Sequence, residues 1–251
     1  MTLECPPNRL RENLAAVRAA IAAAAARRGC RPETVKLVAV TKYVSSAIIR
    51  ELLAEGVADV GENRVQQLVA RAAELAAPAT TGPAVPRPAP RWHMIGHLQR
   101  NKVRALLPHC RVVHSLDSAR LARELEAEAS RLGVAVEAFV EVNVVGEAQK
   151  TGARPEQLPE LLDALRSCAR VKAVGLMTMA PLAGDPEQSR PVFRELRERL
   201  RRLRESGALP ADCTELSMGM SQDYVIAVEE GATVVRVGAA LYEGVADPSP
   251  A

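Results

Sequence analysis

Aromatic residues are scarce in this chain: one Trp, three Tyr and two Phe among 251 residues. A core must therefore be built from Ala, Val, Leu and Ile, and recognition by a platform of stacked rings is excluded. Cysteine is also sparse. The five thiols, Cys5, Cys30, Cys110, Cys168 and Cys213, are scattered, odd in number and never form a CxxC pair. That argues against a disulfide framework or a structural zinc, and predicts a reducing, cytoplasmic setting. Long hydrophobic runs are missing. Residues 19–26 are apolar, but the stretch is short and bracketed by Arg18, Arg27 and Arg28, so it cannot span a bilayer. Residues 1–8 lack a charged segment followed by an apolar one, and no signal peptide is expected. Charge of one sign is lacking too, since 33 Lys and Arg against 30 Asp and Glu leave +3. Much of the Arg content sits beside Glu between Arg194 and Arg204. That pattern reads as a salt-bridged helix face rather than a nucleic-acid surface.

What is present is a repeated change of period. Leu10, Leu14, Val17 and Ile21 recur at helical spacing and predict an opening helix that ends near Gly29. Short β-branched runs then alternate with amphipathic ones. Strands are predicted at 35–41, 58–61, 92–96, 111–115, 136–144, 171–178, 215–218 and 233–237. Helices fall between them at 47–55, 65–76, 101–107, 118–132, 155–168, 186–205 and 222–230. Eight such units predict an α/β fold, a single (β/α)8 TIM barrel with an extra N-terminal helix. A doubly wound open sheet competes, but its GxGxxG turn after the first strand is missing. Residues 77–90 are rich in Pro, Ala and Thr without periodicity. They read as an extended surface-loop insertion in one domain covering 1–251, with 247–251 as a frayed tail.

Barrel sites form where strands end. The first strand closes on Lys42. An amine there is partly desolvated, which favours the neutral form that condenses with an aldehyde. The plainer alternative is a lysine whose ammonium snorkels to solvent. The second strand closes on Gly61, Glu62 and Asn63, where Asn63 offers a donor and an acceptor, or simply caps a helix. His93 and His97 lie four apart on a strand, not a helix, so they do not make a zinc pair. His97 can touch a ligand at the mouth or hold its loop. After the fifth strand a polar loop carries Lys150, and after the sixth Met177 can wall a planar ring or merely pack.

The seventh and eighth closures read Ser217-Met218-Gly219-Met220-Ser221 and Arg236-Val237-Gly238-Ala239. Barrels often bind phosphate with these two loops, and glycine lets backbone N–H groups approach the oxygens. Ordinary turn chemistry is the alternative. A reactive Lys on strand one facing a phosphate cradle on strands seven and eight fits a ligand that is both aldehyde and phosphate monoester. Pyridoxal 5′-phosphate (PLP) is such a ligand.

Several segments together resemble the pyridoxal phosphate homeostasis protein family. They are LVAVTK ending at Lys42, GENRVQ from Gly61, WHMIGHLQ from Trp92 with Asn101-Lys102, and HSLDS from His114. VNVVGEAQKTG from Val142, GLMTM from Gly175, LSMGMSQD from Leu216 and VRVG from Val235 complete the set. The resemblance spans nearly the whole chain. Two departures are Met94, where an aromatic is usual, and a longer Pro-rich loop before Trp92. The family looks like the barrel domain of alanine racemase standing alone. The resemblance implies Lys42 as the Schiff-base lysine, phosphate contacts from Ser217–Ser221 and from the backbone at Gly238 and Ala239, and Arg236 facing the pyridine nitrogen. It implies a PLP carrier rather than a fast enzyme, since related racemases take an opposing tyrosine from a second domain and this sequence ends just after its eighth strand. PLP-dependent apo-enzymes become expected partners, and the chain is expected to be a monomer or weak dimer. A PLP-dependent racemase and an aldolase-like barrel with Lys42 as imine former are the competing functions.

Overall fold

In a computed structural model of the chain, residues 8–76, 89–146, 151–181 and 184–246 are described. Helix α1 (Arg9–Arg28) buries Leu10, Leu14, Val17 and Ile21 along one side, as their spacing requires. Gly29 ends it in the left-handed region at φ 75°, the conformation that glycine adopts without penalty. This helix precedes the barrel and packs against its last two helices. Asn13, buried, donates to the carbonyl oxygens of Leu241 and Glu243 and so ties the first helix to the end of the fold.

Eight strands follow in order: β1 (Lys36–Val40), β2 (Asp59–Glu62), β3 (Arg91–Met94), β4 (Val112–Leu116), β5 (Val136–Glu141), β6 (Val171–Met177), β7 (Glu215–Ser217) and β8 (Val234–Val237). They close into one barrel in sequence order, and β1 completes the ring by pairing in parallel with β8. The crossovers contain α2 (Ser46–Ala54), α3 (Val65–Ala76), α4 (Val103–Leu106), α5 (Ala119–Leu132), α6 (Leu158–Arg166), α7 (Arg190–Glu205) and α8 (Tyr224–Glu229). A last short helix, α9 (Ala239–Tyr242), follows β8. Ser118 caps α5 by accepting from the Leu121 N–H, and Gly133 stops it at φ 68°.

Several sequence boundaries shift for local reasons. The helix expected at 101–107 opens as a 3-10 turn, Arg100–Lys102, before α4. The strand expected through 144 leaves the ladder after Glu141, because Val142 bridges to Ala153 where the following loop returns.

The core has two compartments. The larger lies between strands and helices and holds Ile49, Leu52, Leu68, Leu125 and Phe193, all fully buried. Each such side chain contributes about 1.5–3 kcal/mol of burial free energy. The smaller lies inside the barrel, where Val38, Val112, Phe139, Met177 and Val234 pack together. Outside, most arginines of α7 meet carboxylates: Arg194 and Arg197 meet Glu230, Arg199 and Arg202 meet Glu195, and Arg201 meets Glu198 and Glu205. Among the described residues no helix is long and apolar enough to cross a membrane.

Candidate functional site

β1 hands the chain to Thr41 and Lys42 at one end of the barrel. Thr41 is buried. Its N–H donates to the Gly61 carbonyl at 2.9 Å and its hydroxyl to Glu62 Oε1 at 2.7 Å. From α3, Arg71 donates to Glu62 Oε1 and to the carbonyl oxygens of Thr41 and Val44. The turn carrying Lys42 is thus pinned on both sides by a buried ion pair. Burial of Glu62 raises its carboxyl above the usual range, outweighing the Thr41 hydroxyl and the Arg71 guanidinium that pull the other way. Lys42 itself is half-buried, with Nζ 4.8 Å from the ring centroid of exposed Tyr43.

The β1–β8 register sets Val38 beside Arg236 and Ala39 beside Val237. Lys42 therefore neighbours the Gly238 turn on the same rim, instead of facing it across the mouth, because closure of the ring makes first and last strands adjacent. A Cβ on Gly238 would lie 3.2 Å from the Val40 Cβ, so glycine lets the turn seat against β1. Gly219 has φ +92°, and a Cβ there would approach the Ala227 Cβ to 2.5 Å. The Ser221 hydroxyl accepts from the N–H groups of Gly238 at 3.0 Å and Ala240 at 3.3 Å. Asp223 braces the turn, accepting from the Met220 N–H at 2.7 Å and from the Ser189 hydroxyl at 3.0 Å. Gly219, Ser221, Gly238 and Ala239 thus come together in one cluster of turns beside Lys42.

Ser217 does not join them. Its buried hydroxyl turns into the barrel, where it accepts from Arg236 and pairs with His114 Nδ1 at 2.7 Å. Arg236 is buried as well, and its other contact is the Thr178 carbonyl at 3.1 Å. Both partners are neutral. Burial pulls the Arg236 guanidinium down to about 10, while Glu141 and Asp223 oppose this through space only. The polar line runs deeper still: His114 Nε2 meets His93 Nδ1 at 2.9 Å, and His93 Nε2 meets Asp59 Oδ1 at 2.8 Å.

The other flank of the mouth is looser. A cavity of about 260 Å³ is lined by Glu141, Asn143, Thr178, Met179 and Met220 among others. Burial raises the Glu141 carboxyl, and the Thr151 hydroxyl donates to it at 2.5 Å. His97 is half-exposed on the rim, with Nδ1 3.3 Å from Asp117 Oδ2. Met177 is fully buried in the interior cluster, whereas Met179 reaches the cavity. Asn63 is half-buried, and its carbonyl so crowds Gly96 that a Cβ there would lie 2.3 Å away. Lys150 and most of the 77–90 segment lie outside the described residues.

Arg71, His93 and His114 were not assigned roles by residue type alone. Arg71 carried one signal: with Val65 and Leu68 it falls at three-residue spacing on the buried stripe of α3, where an arginine needs a partner. His114 carried another, two residues after Val112 and so on the same inward face of β4.

Residues 8–245 match the family described as alanine racemase, N-terminal domain. The chain belongs to that family. Two relatives bear the name pyridoxal phosphate homeostasis protein. The one from Aquifex aeolicus is 39% identical, covering 92% of this chain and 96% of the relative. The one from Pseudomonas aeruginosa is 38% identical, covering 92% and 94%. The solved structure of PipY from Synechococcus elongatus PCC7942, with PLP bound, has a TM-score of 0.77 and 35% identity over 93% of this chain and 99% of PipY. More distantly, alanine racemase from Corynebacterium glutamicum shares the fold at TM-score 0.65 and 15% identity, over 94% of this chain and 62% of that enzyme. In alanine racemase N-terminal domain terms, the match runs from α1 to just past α9.

Proposed function

We propose that this chain binds PLP at the barrel mouth and serves PLP homeostasis in the cytoplasm, as a carrier rather than a fast enzyme. The observation that carries the reading is the β1–β8 seam. It sets an amine, Lys42, beside a glycine-lined turn with a serine hydroxyl, above a buried guanidinium whose hydrogen bonds among the described residues go to neutral oxygens. A buried cation so placed calls for an acceptor from outside the chain.

PLP supplies an aldehyde that condenses with a primary amine and gives a visible chromophore. Lys42 is the residue to hold that aldehyde. Ser221 and the backbone of Gly219, Gly238 and Ala239 would hold the phosphate, and Ser217 serves through Arg236. Asn63 would meet the ring, with weaker contacts from His97, Met177 and Lys150. Arg236 only donates hydrogen bonds and stays charged at its lowered value of about 10. A ring nitrogen opposite it must accept, and an unprotonated ring withdraws electrons weakly. Retention is therefore favoured over turnover. PLP-dependent apo-enzymes are the partners this suits, with the carrier a monomer or weak dimer.

The test is a visible spectrum of the purified protein with PLP, before and after borohydride, with the adduct mapped by mass spectrometry. A reduced adduct on Lys42 is expected. No visible band with PLP in excess, or an adduct confined to another lysine, overturns the reading.

A further inference from the structure

Two histidines, His93 and His114, lie inside the barrel, and binding PLP at the mouth gives neither a task. Both are buried, and burial holds both imidazoles below their ordinary value, His114 well below. Phe139 stacks on His114 at 4.3 Å with an interplanar angle of 20°, which fixes the ring plane. The line they form has two ends. At the mouth is Arg236. At the other end Asp59 begins β2, and His93 lines a small polar cavity of about 150 Å³ with Lys36, Glu137, Lys172, Asp212 and Glu215. Lys36 and Glu215 begin their strands, so this vestibule opens at the barrel floor.

The chemistry of the ends fixes the direction of every bond between. Arg236 can only donate, so Ser217 Oγ accepts. The Ser217 hydroxyl then has His114 Nδ1 as its acceptor at 2.7 Å. A neutral imidazole with Nδ1 unprotonated carries its proton on Nε2, which donates to His93 Nδ1 at 2.9 Å. His93 repeats the pattern and donates from Nε2 to Asp59 at 2.8 Å. Asp59 is held below the usual carboxylate range; burial works against this, but His93, Lys36 and Arg91 outweigh it, and an ionised carboxylate only accepts. The reverse order would leave the Ser217 proton without an acceptor and set a bare nitrogen against the Asp59 carboxylate.

We propose that Asp59, His93 and His114 are positioning residues for Arg236: a one-way relay of hydrogen bonds through the barrel interior, from mouth to floor, that orients Ser217 and so aims the guanidinium. The proposal rests on PLP occupying the mouth. Its consequence is that a change at the floor alters the electronic state of a ligand at the mouth. Simple space-filling by two histidines would have no such effect.

The first measurement uses the unmodified chain without PLP. Proton–nitrogen correlation spectra of isotope-labelled histidine, assigned with His114→Phe, should show both buried imidazoles neutral and protonated on Nε2. An Nδ1 proton or a charged ring on either, at neutral pH, overturns the relay, and the tautomers are read in the unmodified chain. The second adds PLP. Asp59→Ala should shift the visible maximum and its pH midpoint, whereas Asp59→Asn, which keeps an acceptor oxygen, should shift them less. His114→Phe should bind PLP about tenfold more weakly. Wild-type spectra and affinity in both Asp59→Ala and His114→Phe reduce the histidines to packing and sink the proposal. If the unmodified chain takes no PLP, the reading of the mouth fails and the positioning role falls with it, even with the tautomers as stated.

Discussion

Among the described residues two arginines are buried in this barrel, and their surroundings differ. Arg71 meets a carboxylate, Glu62, and two backbone carbonyls, so its charge and most of its donors are satisfied within the chain. Arg236, as buried, meets one hydroxyl and one carbonyl. The first arrangement is a lock on the turn beneath Lys42. The second bonds its charge to neutral groups, with Glu141 and Asp223 acting on it through space. A buried charge with no direct ion pair among the described residues is costly to the fold alone, which is why we propose a ligand at the mouth.

The comparison can be broken at several points. The largest effect is expected at the residue between the two regions. Lys42→Ala should lose the PLP-dependent visible band altogether, while the unfolding free energy read by denaturant titration stays within about 0.5 kcal/mol of the parent. Next comes the lock. Arg71→Leu strands Glu62 in the interior and should lower stability by about 3–5 kcal/mol, read by urea unfolding. A loss below about 1 kcal/mol would mean that Arg71 is not the partner that Glu62 requires.

Arg236→Leu should behave oppositely. Removing a charge with neutral partners should leave the stability of the PLP-free chain unchanged or raised, yet weaken PLP binding by about 1.5–3 kcal/mol in a spectroscopic titration. If it destabilises the chain as much as Arg71→Leu, the contrast between the two sites is wrong.

The smallest effect is in the pH dependence. The folded state holds His93 and His114 below the ordinary imidazole value, so the unfolded chain binds more protons in that range. Their contribution is full above about pH 6.5 and is lost as the pH falls through the lowered folded values. Glu62 and Glu141 have the other sign: raised carboxyls favour the fold in acid, and that contribution fades as the pH rises through their folded values. Thermal unfolding of the PLP-free chain should therefore show an acid limb that His114→Phe flattens. An unchanged limb in that variant would assign the acid loss elsewhere.

Much of the fold was readable because its signals are local. The Gly29 and Gly133 stops, the Ser118 cap and the strand starts depend on a few neighbouring residues, and strand ends named Lys42, Gly219, Ser221, Gly238 and Ala239. Ser217 shows where such reading runs out. It sits in the same serine–glycine motif as Ser221, but side chains alternate along a strand, and only the closed ring decides that its hydroxyl faces Arg236 and His114.

The order of apolar and polar residues, acting over one or two helical turns or a few strand positions, settled the eight βα units, the leading helix and the rim on which a site would form. Tertiary closure decided the rest. It made β1 and β8 neighbours, matched Arg71 on one element to Glu62 on another, and threaded Asp59, His93, His114, Ser217 and Arg236 from five strands into one line. Those contacts join residues on separate elements, so no local pattern encodes them. They exist because a closed barrel has an inside, where each polar group must find a partner supplied by another strand.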